Sequence, residues 1–166
     1  MAPALKRGET PAALPAGVKE IFHDAYVTVF LDEPRKLVRL VRSATPFPDL
    51  EAPKRTYAPL IALCDELDRS RYSLLTDLRA APGRNDPAFE ALMHPLRARL
   101  QTGFARLGTL VATAVGAMQV RRLTREEGSE RLVSTDEAEL LRYLKVEPPD
   151  AKPEARPGTR PGAKSG

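Results

Sequence analysis

Apolar runs of strand length alternate along this chain with longer stretches in which apolar residues recur every three or four positions. That alternation constrains the fold more than any other feature. The strand-like runs lie in "YVTVFLD", "KLVRLVR", "YSLLTDL", "LGTLVATAV" and "ERLVS"; short segments of β-branched and apolar residues suit a pleated, half-buried surface. Between them lie patterns with helical period, which place one apolar stripe toward a core. The first two runs are joined by a turn at Asp32 to Arg35, where Pro34 and charged residues interrupt the pattern, so the unit opens with a hairpin.

The helical segments carry their own boundary signals. In "DLEAPKRTYAPLIALCDELD", Asp49 is a candidate N-cap, and Tyr57, Leu60, Ile61, Cys64 and Leu67 share one face. Pro53 falls near the first turn and is tolerated; Pro59 lies deeper and is expected to kink the helix. A second stripe comprises Phe89, Leu92, Met93, Leu96, Leu100 and Phe104. "GAMQVRRLTREEG" fits either a helix with Ala117, Val120 and Leu123 inward or an arm of a hairpin turning at Gly128, and helix is preferred. Ser134 and Glu137 have the spacing of a capping box opening "TDEAELLRYLKV".

The expected order is therefore β-β-α-β-α-β-α-β-α. Strands alternating with helices imply parallel crossovers, so the fold class is α/β: a mixed, mostly parallel sheet with an opening β-hairpin and four helices. Loops following the parallel strands would gather at one sheet edge, where ligands bind in open sheets of this type. The candidate surface is Arg42 to Pro48, Arg79 to Asp86, Thr113 to Gly116 and Ser134 to Asp136. On the opposite question of pairing between copies, Arg39 and Arg42 in the opening hairpin are expected to blunt its outer edge.

With 166 residues, the chain can bury one proper core and no comfortable second one. Its 16 prolines cluster at the ends, so residues 1–17 and 147–166 read as disordered segments around a folded unit at 18–146. A net charge of +4 admits acidic partners. Basic and acidic residues nevertheless interleave, as in "REEGSER" and "DELDRSR", which argues for a solvated surface and against nucleic acid. Arg97, Arg99, Arg106, Arg121, Arg122 and Arg125 would form a basic patch only if the second and third helices are adjacent; pairing with Glu126 and Glu127 is the plainer expectation. No apolar run approaches the ~18 residues of a membrane span, and no secretory signal core is present, so the expected location is cytoplasmic.

The strand ending in Asp77 and Leu78, the segment "NDPAFEALM", the apolar "LVATAV" and the closing "LVSTDEAELLRYL" together resemble the STAS superfamily, the fold of bacterial anti-anti-sigma factors, and its SpoIIAA-like or STAS/SEC14-like branch. In phospho-regulated members, the loop after the "DL" strand ends in an acidic residue followed by a serine that acts as the switch. Asp86 stands in the acidic place and Pro87 in the serine place; from Leu78 to Glu90 there is no Ser, Thr or Tyr. The resemblance thus implies a non-catalytic protein-interaction or regulatory module without the phosphoacceptor. The alternative it leaves is a domain that binds a small molecule, a lipid or phosphorylated ligand, between sheet and helices.

Within that loop, Pro82 and Gly83 suit a turn, Asp86 an N-cap and Pro87 the first helical position. Turn and cap chemistry does not require Arg79, Arg84 or Asn85. Two guanidiniums beside a helix start would suit a phosphate or a partner carboxylate, so Arg79, Arg84, Asn85 and Asp86 are the candidate binding residues. No catalytic set, metal site or cofactor is expected. His23 and His94 fall in separate segments, His94-Pro95 reads as a helix kink, and Cys64, the single cysteine, reads as a small core residue.

Overall fold

The computed structural model describes residues 14–84 and 86–146. Asn85 and nearly all of the two segments expected to be disordered lie outside the described residues. Residues 14–17, assigned to the first of those segments, form a turn in which the Val18 N–H donates to the Pro15 carbonyl at 3.0 Å.

That turn leads into a strand absent from the sequence-based order, β1 (Val18–His23). Its register with the next strand shifts between Glu20 and Phe22, and both Ile21 and Phe22 pack against the main core. A bulge of this kind sends consecutive residues to one side and destroys the period-two signal. β2 (Val27–Asp32) and β3 (Leu37–Arg42) are the expected hairpin. The outer strand is thus β1, while Arg39 and Arg42 lie on β3 between β2 and its next neighbour. They do not blunt an edge.

The remaining elements are α1 (Glu51–Asp65), a 3-10 turn (Arg69–Arg71), β4 (Ser73–Asp77), α2 (Pro87–Gln101), β5 (Arg106–Leu110), α3 (Ala114–Glu127), β6 (Leu132–Ser134) and α4 (Glu137–Tyr143). The segment left between helix and hairpin arm is helix α3. The six strands are ordered β1-β2-β3-β4-β5-β6, antiparallel from β1 to β3 and parallel from β3 to β6.

Alternate strand residues point to opposite faces. Val29, Leu40 and Leu74 face a core shared with Leu60 and Cys64 of α1 and Met93 and Leu100 of α2. Leu37, Leu75 and Leu110 face the other way and meet Leu140 and Leu144 at α4. On that second face Gly108 suits a close approach: a Cβ there would lie 3.1 Å from Leu140 Cδ2 and 3.2 Å from Leu144 Cδ1, so those side chains would have to give.

The caps fix where each helix begins. Asp86 Oδ1 accepts the Ala88 N–H at 3.0 Å, as expected. Asp49 sits one position outside the expected cap, since Leu50 is the N-cap of α1; its Oδ1 still accepts the N–H groups of Glu51 and Ala52. The Ser134–Glu137 capping box does not form. Asp136 caps α4 instead, accepting from Ala138 and Glu139, and the Ser134 hydroxyl accepts the Asp136 N–H at 3.0 Å and donates to the Glu139 carboxylate. α3 is capped by Thr113 and stopped by Gly128 at φ 66°, a left-handed position where a Cβ costs energy. Pro59 and Pro95 lie inside helices α1 and α2, which continue through them.

Candidate functional site

α1 and α2 close tightly over the sheet; α2 and α3 do not. Between these two helices lies a cleft of about 650 Å³, within the range of small-molecule sites. Leu40, Thr76 and Thr109 form its floor, Phe89, Met93 and Leu100 one wall, and Val120 and Leu123 the other. Its mouth is at the carboxyl edge, between the loop 78–84 and the segment Ala112 to Gly116.

The charge in the cleft is uneven. Six arginines line it, at positions 42, 79, 84, 97, 122 and 131, against the two glutamates Glu90 and Glu127. At the far end the charges are paired. Arg97 Nη2 donates to Glu90 at 2.8 Å and to Glu127 at 2.9 Å, tying α2 to α3. Arg131 Nη2 donates to Gln101 at 2.7 Å. Burial opposes the charge on Arg97, but Glu90 and Glu127 outweigh it and raise its pKa. For Arg131, burial prevails and its pKa falls.

Nearer the mouth Arg42 and Arg84 are held less completely. Arg42 Nε donates to the Tyr26 carbonyl at 3.2 Å, and its guanidinium lies 4.3 Å from the Phe47 ring centre. The Arg84 guanidinium lies 4.3 Å from the Phe89 ring centre, and Nη2 donates to Asp86 at 2.8 Å. Cation–π stacking of this kind orients a guanidinium while leaving donors free.

The expected binding residues are therefore only partly gathered. Arg79 and Arg84 both line the cleft, yet each is engaged by a carboxylate two residues away. Arg79 grips Asp77 through its backbone N–H at 3.1 Å, Nε at 3.0 Å and Nη2 at 2.7 Å, and Arg39 adds a fourth contact to Asp77 at 3.2 Å. Glu137 closes this cluster by pairing with Arg39. Burial pushes the Asp77 carboxyl up, but Arg79 and Arg39 more than offset it, leaving the carboxyl below its ordinary value. The hydrogen bond from Arg84, followed by that from the Ala88 N–H, lowers Asp86. Asn85 lies outside the described residues.

The six arginines considered as a basic patch are only partly brought together. Arg97 and Arg122 line the cleft, Arg122 lying 4.0 Å from Glu126; Arg121 and Arg125 lie on the other side of α3, where Arg121 donates to the Val133 carbonyl, and Arg106 donates to the Tyr143 carbonyl. Arg99 lies 3.6 Å from Asp65. His23 bonds Thr28 at 2.8 Å on the outer hairpin, and His94 is exposed on α2. Cys64 is buried and its thiol is pushed up by desolvation. Among the described residues no helix is long and apolar enough to cross a membrane.

Sequence reasoning put a ligand between sheet and helices only as the alternative the resemblance leaves, and missed the far end of the cleft. A signal existed: Arg97 and Gln101 follow Met93 at four-residue steps, placing polar groups on the apolar stripe of α2. Polar residues at core spacing need partners or a wet cavity. In comparisons with family models, curated proteins and solved structures, the chain matches none.

Proposed function

We propose that this domain is a non-catalytic, STAS-like binding module whose cleft between α2 and α3 holds an amphipathic small molecule with an anionic end, a lipid or phosphorylated compound. The observation that carries this reading is the cleft itself: an apolar trough opening at the carboxyl edge beneath a surplus of arginine. Close packing is the rule for protein interiors, so a gap of this size beside a well-packed helix pair favours an occupant. Arg42 and Arg84 at the mouth suit a carboxylate or phosphate.

Native mass spectrometry of freshly purified protein tests it. A retained non-protein mass, lost on solvent extraction and weakened in Arg84→Glu, is the expected result; an apo mass that also fails to take up added oleic acid would remove it.

A second reading, a regulatory protein-interaction module, is favoured by the exposure of Val115 and Met118, each 67% exposed on α3 beside the mouth. Isolated exposed apolar side chains are ordinary; two on successive turns of one helix offer an anchor. Affinity purification with wild type and Met118→Glu should then differ in a specific partner, and identical partner lists would dismiss it.

A further inference from the structure

Thr76 on β4 and Thr109 on β5 are direct neighbours in the parallel register, and both line the cleft floor. The equivalent floor on the α1 side is built from Val29, Val38 and Leu74. Thr109 is only 2% exposed, and among the described residues no side-chain hydrogen bond engages the hydroxyl of either threonine. Neither hydroxyl is among the sealed, unpartnered side-chain atoms, so both open on the cleft they line, where a threonine gains nothing in packing that valine would not supply. At the far end Arg131, its side chain 5% exposed, has its Nε buried without a partner among the described residues. The cleft therefore holds unmet hydrogen-bonding capacity along its length as well as cationic charge at its mouth.

We infer that the Thr76–Thr109 pair is a subsite reading a hydrogen-bonding oxygen in the middle of the ligand. The ligand class is an anionic amphipath whose apolar body carries a hydroxyl or carbonyl group, as distinct from a plain acyl chain. This rests on the cleft reading above and narrows it. The threonine hydroxyls can both donate and accept, so they suit either group. Arg42 and Arg84 hold the anionic end at the mouth, and the hydrocarbon on either side of the oxygen lies against Phe89, Met93 and Leu123.

Oleic and ricinoleic acid differ by one mid-chain hydroxyl and serve as the probe pair. Titration of the full chain with each should show ricinoleic acid binding about tenfold tighter, the effect of one well-made hydrogen bond. Thr109→Val, close in shape, should bring the ratio within about twofold, chiefly by weakening ricinoleic acid. Its denaturation midpoint should equal or exceed that of wild type, because the hydroxyl it removes has no partner in the protein. Equal binding of the two acids to wild type would overturn the subsite and leave the cleft reading standing; binding of neither would overturn both. A lower midpoint for Thr109→Val would show that the hydroxyl is structural and overturn the subsite as well.

Discussion

One face of one sheet is covered in two different ways. Over β2 to β4, α1 buries Ala52, Pro53, Thr56, Tyr57, Leu60, Ile61 and Cys64 and meets α2 in a dry core. Toward β6, α3 buries only Ala117 and Thr124, Ala117 packing with Val111 and Val133, and it reaches α2 through Arg97 and Glu127. The helix shared by both halves, α2, carries Phe89, Met93 and Leu100 at helical spacing with Arg97 and Gln101 interleaved. A single amphipathic helix can thus seal one seam and hold another open, depending on whether its neighbour offers apolar volume or charge.

The sharpest way to break that contrast is to remove volume on each side. Leu60 is fully buried in the dry seam, so Leu60→Ala should cost about 3 kcal/mol in urea denaturation, through lost burial plus a cavity that cannot collapse. Leu123, half-buried on the cleft wall, should cost about 1 kcal/mol as Leu123→Ala, since the space it vacates adjoins an existing gap. Equal losses would mean that α2 and α3 close on each other in solution, and the cleft reading would fall with them.

Between those two lies the cluster on the opposite face at the same edge. Asp77 is buried and held by Arg79 and Arg39, so Asp77→Asn should cost about 2 kcal/mol at neutral pH, in the range for hydrogen bonds to a charged group. Because the folded carboxyl titrates below its ordinary value, this stability is complete above the unfolded value of about 3.9 and fades as pH falls through the folded one. Wild type and Asp77→Asn should therefore converge only under acid conditions below that value; convergence already near pH 6 would contradict the geometry.

The contrast between the two seams was only partly legible in the sequence. The strands β2 to β6 and all four helices follow from period and caps, because burial against one core leaves a repeating trace. β1 did not, because its bulge turns Ile21 and Phe22 toward the same core. Asp136 took the cap expected of Ser134 because Ser134 ends β6, and its pairing with Leu110 holds it in the sheet. The volume between α2 and α3 leaves little local trace, since it depends on how far two helices stand apart. Only Arg97, Gln101 and the two strand threonines, polar where a sealed core would be apolar, hinted at it. The loop arginines were visible, but their nearest carboxylates, Asp77 and Asp86, stand two residues away and occupy much of their charge.

That local pairing sets the smallest expected effect. Arg84 and Asp86 form a pair at 2.8 Å with both side chains substantially exposed, and exposed pairs contribute little to stability. Arg84→Glu should therefore leave the denaturation midpoint unmoved while reversing the charge at the cleft mouth, where Arg84 stacks on Phe89. Oleic acid binding should weaken about tenfold at low salt, and the difference from wild type should shrink as added salt screens the mouth. A variant that binds the acid as wild type does would place the anionic end away from this loop and leave Arg42 and Arg122 to hold it. A variant that loses stability would show that the stacked guanidinium seals the top of the packed seam, joining the two halves that the cleft otherwise separates.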